Sequence, residues 1–306
     1  MPTRRGRWVP TALLVPLLTL GLTTAEAQTT EPFSATLIAA GDIASCSQTG
    51  DEATAALVET LPGTILALGD LAYEDGSTED FENCYAPTWG RFKDRTRPAL
   101  GNHEYKQKGA GPYFDYWGAA AGDRTLGYYS FDIGPWHLIS LNSNCSDVGG
   151  CSRGSPMEQW LRRDLAATSA PCVLAFWHHP RWYTPSKQPT TAKLEATDRK
   201  MSAFWIALME YGADVVLNGH RHTYERFARQ DAQGKGDPNG VRQFVVGTGG
   251  GPHDRYEASA APNSELRQAA VHGVLQMTLR ADGFDWRFVP VAGESFTDTG
   301  SDTCTP

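Results

Sequence analysis

Ala35-Thr36-Leu37-Ile38-Ala39-Ala40-Gly41-Asp42 and Thr64-Ile65-Leu66-Ala67-Leu68-Gly69-Asp70 are the two stretches that decide the fold. Each is a short apolar run closed by glycine and followed at once by aspartate, which reads as a buried strand ending in a turn. Positions 52–61 between them have helical character. Strand, helix and strand therefore fill about the 30 residues of a parallel pair joined by a right-handed crossover.

Working outward, a third run at 97–101 stops at Asn102. Positions 128–133 and 136–141 read as a hairpin joined at Gly134-Pro135. Pro156 opens a helix with Ser155 as N-cap and Met157, Trp160, Leu161 and Leu165 at helical spacing. The run 172–177 is a buried strand stopping at His178. A second amphipathic helix over 201–211 is followed by a strand over 213–217, then Asn218-Gly219-His220. Late strands are expected at 241–246, 274–280 and 284–289. With no internal repeat and no linker, the expectation is one α/β domain with mixed parallel and antiparallel strands.

The 306 residues are 41% hydrophobic and 20% charged, which excludes collagen-like and largely disordered chains. Arg4, Arg5 and Arg7, an uncharged apolar run over 8–22 and Ala25-Glu26-Ala27 read as a secretory signal cut after Ala27, leaving a soluble, exported domain of residues 28–306. Without that leader, 24 basic residues face 34 acidic ones. Such a surface repels polyanions, so neither nucleic acid nor an anionic membrane is expected as the main partner. A small anionic substrate remains compatible where a metal outweighs the general field. Six cysteines in an exported chain point to three disulfides, and sequence alone permits fifteen pairings. Cys46–Cys84, Cys145–Cys151 and Cys172–Cys304 are the expected set.

Five apolar strands are each followed by a residue able to bind metal: Asp42, Asp70, Asn102, His178 and His220. Carboxyl ends of strands are where an α/β sheet gathers its functional groups. Singly, Gly-Asp and Asn-Gly are ordinary turn pairs. Five together, with His222 alternating beside His220, favour a metal site, and so many hard-to-borderline donors exceed one tetrahedral ion. Two cations sharing a carboxylate such as Asp70 are a standard device for displacement at phosphorus. His137 and His272 lie in strand-like surroundings and read as structural. The 247–251 glycine run lacks the Gly-Lys-Ser/Thr ending of a nucleotide loop.

Gly41-Asp42, Gly69-Asp70-Leu71-Ala72-Tyr73, Gly101-Asn102-His103-Glu104, His178-His179-Pro180 and Gly219-His220-Arg221-His222 resemble, in order and spacing, the five blocks of the calcineurin-like metallophosphoesterases. Many members carry Asp-x-His in the first block, where this chain has Ala44. Tyr73, three residues after Asp70, takes that histidine's place, which resembles the purple acid phosphatases. So does the run from Gly219 through Thr223-Tyr224-Glu225-Arg226.

The resemblance implies a four-layer α/β/β/α sandwich of two mixed sheets with a dinuclear centre at one edge. One metal would be held by Asp42, Tyr73 and His222, with Asp70 bridging, and the second by Asp70, Asn102, His178 and His220. Tyrosinate suits Fe(III), and the second ion would be Fe(II), Zn(II) or Mn(II). His103 would face the substrate and protonate the leaving alkoxide. His179 is expected to alternate away from His178, outside the ligand set. Plant members place a further histidine after the His-x-Pro block, whereas positions 181–195 here offer only Arg181, Lys187 and Lys193 as cations. The implied activity is hydrolysis of small phosphomonoesters outside the cytoplasm. A phosphodiesterase or nucleotide hydrolase on the same site is the near alternative, and a non-catalytic phosphate- or metal-binding protein the remote one.

Overall fold

Among the described residues the strands run, in chain order, β1 (Ser34–Ala40), β2 (Ala44–Ser45), β3 (Thr64–Leu68), β4 (Ala72–Tyr73), β5 (Thr96–Ala99), β6 (Tyr129–Ile133), β7 (Trp136–Ser140), β8 (Cys172–Phe176), β9 (Val215–Asn218), β10 (Tyr224–Phe227), β11 (Arg242–Val246), β12 (Ser264–Gln268), β13 (Gly273–Arg280), β14 (Gly283–Pro290) and β15 (Thr299–Thr303). The structure is a computed structural model that describes residues 1–2, 32–185, 200–256 and 259–305. The leader's basic and apolar segments, and Lys187 and Lys193, lie outside the described residues.

Two mixed sheets carry the fold. A six-stranded sheet has the order β15-β14-β13-β1-β3-β5, with β1, β3 and β5 parallel to one another and β1 antiparallel to β13. A seven-stranded sheet has the order β12-β10-β11-β9-β8-β7-β6, in which β7, β8, β9 and β11 are parallel. The crossover expected between the first two strands is the helix Gly50–Glu59. It begins two residues earlier than the apolar spacing implied.

Alternation along the second sheet places the layers. Leu138, Leu174, Phe176, Leu217, Phe244 and Val246 join Leu37, Leu275 and Met277 in the core between the sheets. Their neighbours Ile139, Val173, Ala175 and Val216 turn to the other face, where they pack against Met157, Leu161, Leu165, Phe204 and Leu208. Those last five belong to the helices Pro156–Ala167 and Ser202–Glu210. Period-two strands under period-3.6 helices thus give the α/β/β/α order. The Ser155 hydroxyl caps the first of these helices by accepting from the Glu158 N–H, as expected of Ser before Pro.

All six cysteines are paired, as Cys46–Cys84, Cys145–Cys151 and Cys172–Cys304. The third bridge ties the start of β8 in one sheet to the residue after β15 in the other. Strands β10, β12 and β15 were not expected from the sequence. Ser264–Gln268 and Thr299–Thr303 are polar edge strands with no apolar alternation to mark them, and they exist because a neighbouring strand offers its free edge.

Candidate metal centre

The parallel strands β1, β3, β5, β8 and β9 each deliver one polar side chain from the carboxyl end. Asp42, Asp70 and His220 adopt left-handed backbone conformations, with φ of 59°, 51° and 68°. A non-glycine residue takes that conformation at a cost, and three of them at strand ends turn their side chains toward one place. The glycines beside them allow the crowding. A Cβ on Gly101 would stand 2.1 Å from Asp70 Oδ1, and one on Gly219 would stand 2.7 Å from Asp42 Oδ2.

Asp42 and Asp70 are buried, and the expected donors gather on them. The Tyr73 hydroxyl donates to Asp42 Oδ1 at 3.0 Å and reaches Asp70 Oδ2 at 3.4 Å, with His222 Nε2 at 2.9 Å. His222 Nε2 is also 3.2 Å from Asp42 Oδ1. On the second sheet's side, His178 Nε2 lies 3.1 Å from Asp70 Oδ2 and 3.3 Å from His220 Nδ1. Backbone carbonyls set the rings: His178 Nδ1 faces Leu68 O at 2.9 Å, and His222 Nδ1 faces Pro252 O at 2.6 Å. A carbonyl only accepts, so both rings carry the proton on Nδ1 and present Nε2 to the carboxylates.

Asn102 Oδ1 is buried with no hydrogen-bond partner. A carbonyl oxygen is costly to bury unsatisfied, and a cation beside Asp70 answers that deficit. The electrostatics agree. Burial alone would push Asp42 and Asp70 up, yet the His222 and His178 rings outweigh it and hold both carboxyls below the usual carboxylate range. Burial likewise works against charging His178 and His222, but Asp70 and Asp42 raise His178, and Asp42 with the Pro252 carbonyl and Asp254 raises His222, each to about 9. The pocket favours positive charge beside its two aspartates. His220 goes the other way, to about 4, because of burial and the neighbouring His178. Tyr73 is pushed up by burial and by both aspartates, so it remains a phenol until a cation displaces its proton.

His103 stands at the rim, its side chain one-fifth exposed. Its Nδ1 faces the Glu74 carbonyl at 2.5 Å, which leaves Nε2 turned to the cleft, 3.8 Å from Asp70 Oδ2. His137 is bound by Asp132 of β6 and by Asp164 of the helix Pro156–Ala167, and His272 Nε2 faces Gly251 O. The 247–251 glycine run lies against the first strand end, where Gly249 N donates to Gly41 O and Gly251 N to Asp42 O. Arg181 is buried and donates to the Ala232 carbonyl.

Three features were missed by sequence reasoning. Glu104, fully buried, accepts from the N–H groups of Asp70, Leu71 and Gly101 and so ties two strand-end loops together. Its place in the Gly-Asn-His-Glu block was visible, but not where its carboxylate goes. Asp254 Oδ2 accepts from His222 N at 3.3 Å and pairs with Arg221 at 2.9 Å, clamping the backbone of His222. His179 is the third. The expectation that it alternates away from His178 is corrected: the two ring centroids are 5.0 Å apart, that of His220 is 4.3 Å from that of His179, and Ser143 holds the His179 Nδ1 at 2.8 Å. A turn after β8 breaks strand alternation, so neighbouring histidines face one cleft.

The family model described as "Calcineurin-like phosphoesterase" matches residues 36–224, which include every strand end of this cleft. The chain belongs to the calcineurin-like phosphoesterase family. Within that family it is similar to purple acid phosphatase 15 of Arabidopsis thaliana, 28% identical over 228 residues, covering 63% of this chain and 41% of that one. Its identity to the Fe(3+)-Zn(2+) purple acid phosphatase 12 of the same plant is 26% over 284 residues, covering 80% of this chain and 58% of the relative. The structure of purple acid phosphatase PPD1 from yellow lupin superposes with a TM-score of 0.71 at 16% identity, over 89% of this chain and 54% of that chain. That likeness is one of fold. The calcineurin-like chain described here spans about half the length of these relatives.

Proposed function

We propose that this chain is an exported hydrolase of phosphoric esters, acting on small phosphomonoesters with two metal ions, Fe(III) and a divalent Fe, Zn or Mn. Asp70 carries the reading. Its Oδ2 is within 3.4 Å of the Tyr73 hydroxyl and 3.1 Å of His178 Nε2, so one carboxylate serves both donor groups. Asp42, Tyr73 and His222 would hold one ion and Asn102, His178 and His220 the other. The similarity to an iron–zinc relative supports that pair of metals.

Two ions held by those residues would supply charge neutralisation at the phosphoryl oxygens and would acidify a water molecule. The chain's own residues do the rest. Glu104 and Gly101 hold Asp70 and Asn102 in register. The Glu74 carbonyl fixes the His103 tautomer, and Nε2, once protonated, delivers its proton to the departing alkoxide. The site's positive charge is local in an acidic protein, which favours a small anion over a polyanion. Three disulfides support export. No helix among the described residues is long and apolar enough to cross a membrane.

Metal analysis of the purified protein, alongside assays with nitrophenyl phosphate and bis(nitrophenyl) phosphate, tests the proposal. Two metals and faster monoester turnover are expected, with turnover lost in folded Asn102→Ala or His220→Ala. Faster diester turnover moves the substrate class to phosphodiesters. A metal-free protein inert toward both esters overturns the reading.

A further inference from the structure

His178, His179 and His220 form a triangle of rings. The centroids of His178 and His179 are 5.0 Å apart, those of His178 and His220 are 5.0 Å apart, and those of His179 and His220 are 4.3 Å apart. One ligating nitrogen from each lies within 4.8 Å of the other two. Imidazoles bound to one ion at about 2.0–2.1 Å and near right angles would place their ring centres roughly 4.5–5 Å apart. The observed triangle has that size.

His179 is also held as a metal ligand is held. Its backbone N–H donates to Ser143 Oγ at 3.0 Å, and its Nδ1 lies 2.8 Å from the same oxygen. The Trp177 indole N–H donates to its carbonyl at 2.8 Å. Main chain and ring are thus both tethered, and Nε2 is the nitrogen left over. Ser143 sits just beyond the carboxyl end of β7, a strand end without a residue in the expected ligand set, and the adjoining loop is closed by Cys145–Cys151. A hydroxyl accepting from Nδ1–H plays the part that a carbonyl or carboxylate plays behind other metal-bound histidines, fixing the tautomer and ring angle.

We propose that His179 is a further ligand of the second metal, which would then be held by three imidazoles, His178, His179 and His220, together with Asp70 and Asn102. The inference rests on the dinuclear reading above and deepens it. Three neutral nitrogen donors suit a borderline divalent ion such as Zn(II) or Fe(II) better than hard Mg(II) or Mn(II), so the second site is selective. Ser143 is a positioning residue, acting through the ring it holds.

The test compares wild type, His179→Ala and Ser143→Ala, each stripped with chelator, loaded with iron, then titrated with Zn(II) and with Co(II). Metal content, competitive chelator titration and the visible Co(II) bands are the readouts. His179→Ala should weaken the second ion by at least about 10–100-fold, change the Co(II) bands and leave the iron in place. Ser143→Ala should shift affinity in the same direction by less. Zinc-edge X-ray absorption on the wild-type iron–zinc protein counts the imidazoles without any variant: three support the inference and two overturn it. Unchanged zinc affinity and Co(II) bands in folded His179→Ala also overturn it. Wild type that binds no metal instead removes the dinuclear reading itself.

Discussion

Glu104→Ala removes the acceptor shared by three backbone N–H groups, those of Asp70, Leu71 and Gly101, at 3.0, 2.7 and 2.7 Å. Two effects oppose each other. Burial, and then the Asp70 carboxylate, raise Glu104 from 4.5 to about 7. Keeping it ionised at pH 8 therefore costs about 3 kcal/mol, which alanine relieves. Against that, three buried donors are left unpaired at about 1–3 kcal/mol each. At the middle of that range, about 6 kcal/mol in all, the second effect is the larger, and the net expectation is a loss of about 3 kcal/mol. That is a large share of the roughly 5–15 kcal/mol that holds a domain folded. Urea unfolding at pH 8 in chelator should show a lower midpoint with an unchanged slope. Reloaded protein should hold less of the ion that uses Asp70 and Asn102, since both loops lose their tie. Glu104→Gln, with one acceptor oxygen left, should fall between. Stability within about 0.5 kcal/mol of wild type, with full metal content, would refute the tie.

Tyr73→Phe keeps the ring and removes the oxygen that lies 3.0 Å from Asp42. The oxidised iron-loaded wild type should show a visible phenolate-to-iron band that this variant lacks, and stoichiometric oxidised iron without a band sinks the tyrosinate. His103→Ala should slow esters with poor leaving groups more than nitrophenyl esters, because only a basic alkoxide needs the proton. Equal losses leave His103 with no acid role. His178 and His222, raised to about 9 in the metal-free protein, must lose their protons to ligate. Metal uptake at pH 7 should therefore release about two protons from these rings and a third from the Tyr73 phenol, and weaken as pH falls, and pH-independent binding contradicts this. His137 bonds Asp132 and Asp164 through both nitrogens, and these bonds outweigh burial and raise it. A raised histidine stabilises fully below its unfolded value near 6.5 and loses that contribution as pH rises through the folded one. His137→Phe should be about 1–2 kcal/mol less stable than wild type at pH 5.5, discounted for the exposed Asp132, with the gap closing at high pH.

Asp42, Asp70, Asn102, His178 and His220 were legible in the amino-acid order because each sits two or three positions beyond an apolar strand. Parallel strands bring their carboxyl ends together whatever the details of packing. The two-sheet layering was expected from the family resemblance alone, since the strand patterns by themselves gave one α/β domain of mixed strands. Tertiary structure alone decided which side chains beyond those strand ends join the cleft. Glu104 reaches Leu71 across 33 residues and Asp254 reaches His222 across 32, separations that no local pattern encodes. His179 was misjudged because strand alternation stops at the end of β8, where the turn sets the direction of each side chain. The polar edge strands β12 and β15 likewise exist through hydrogen bonds to a partner edge, and a backbone bond across a sheet leaves no mark on residue order.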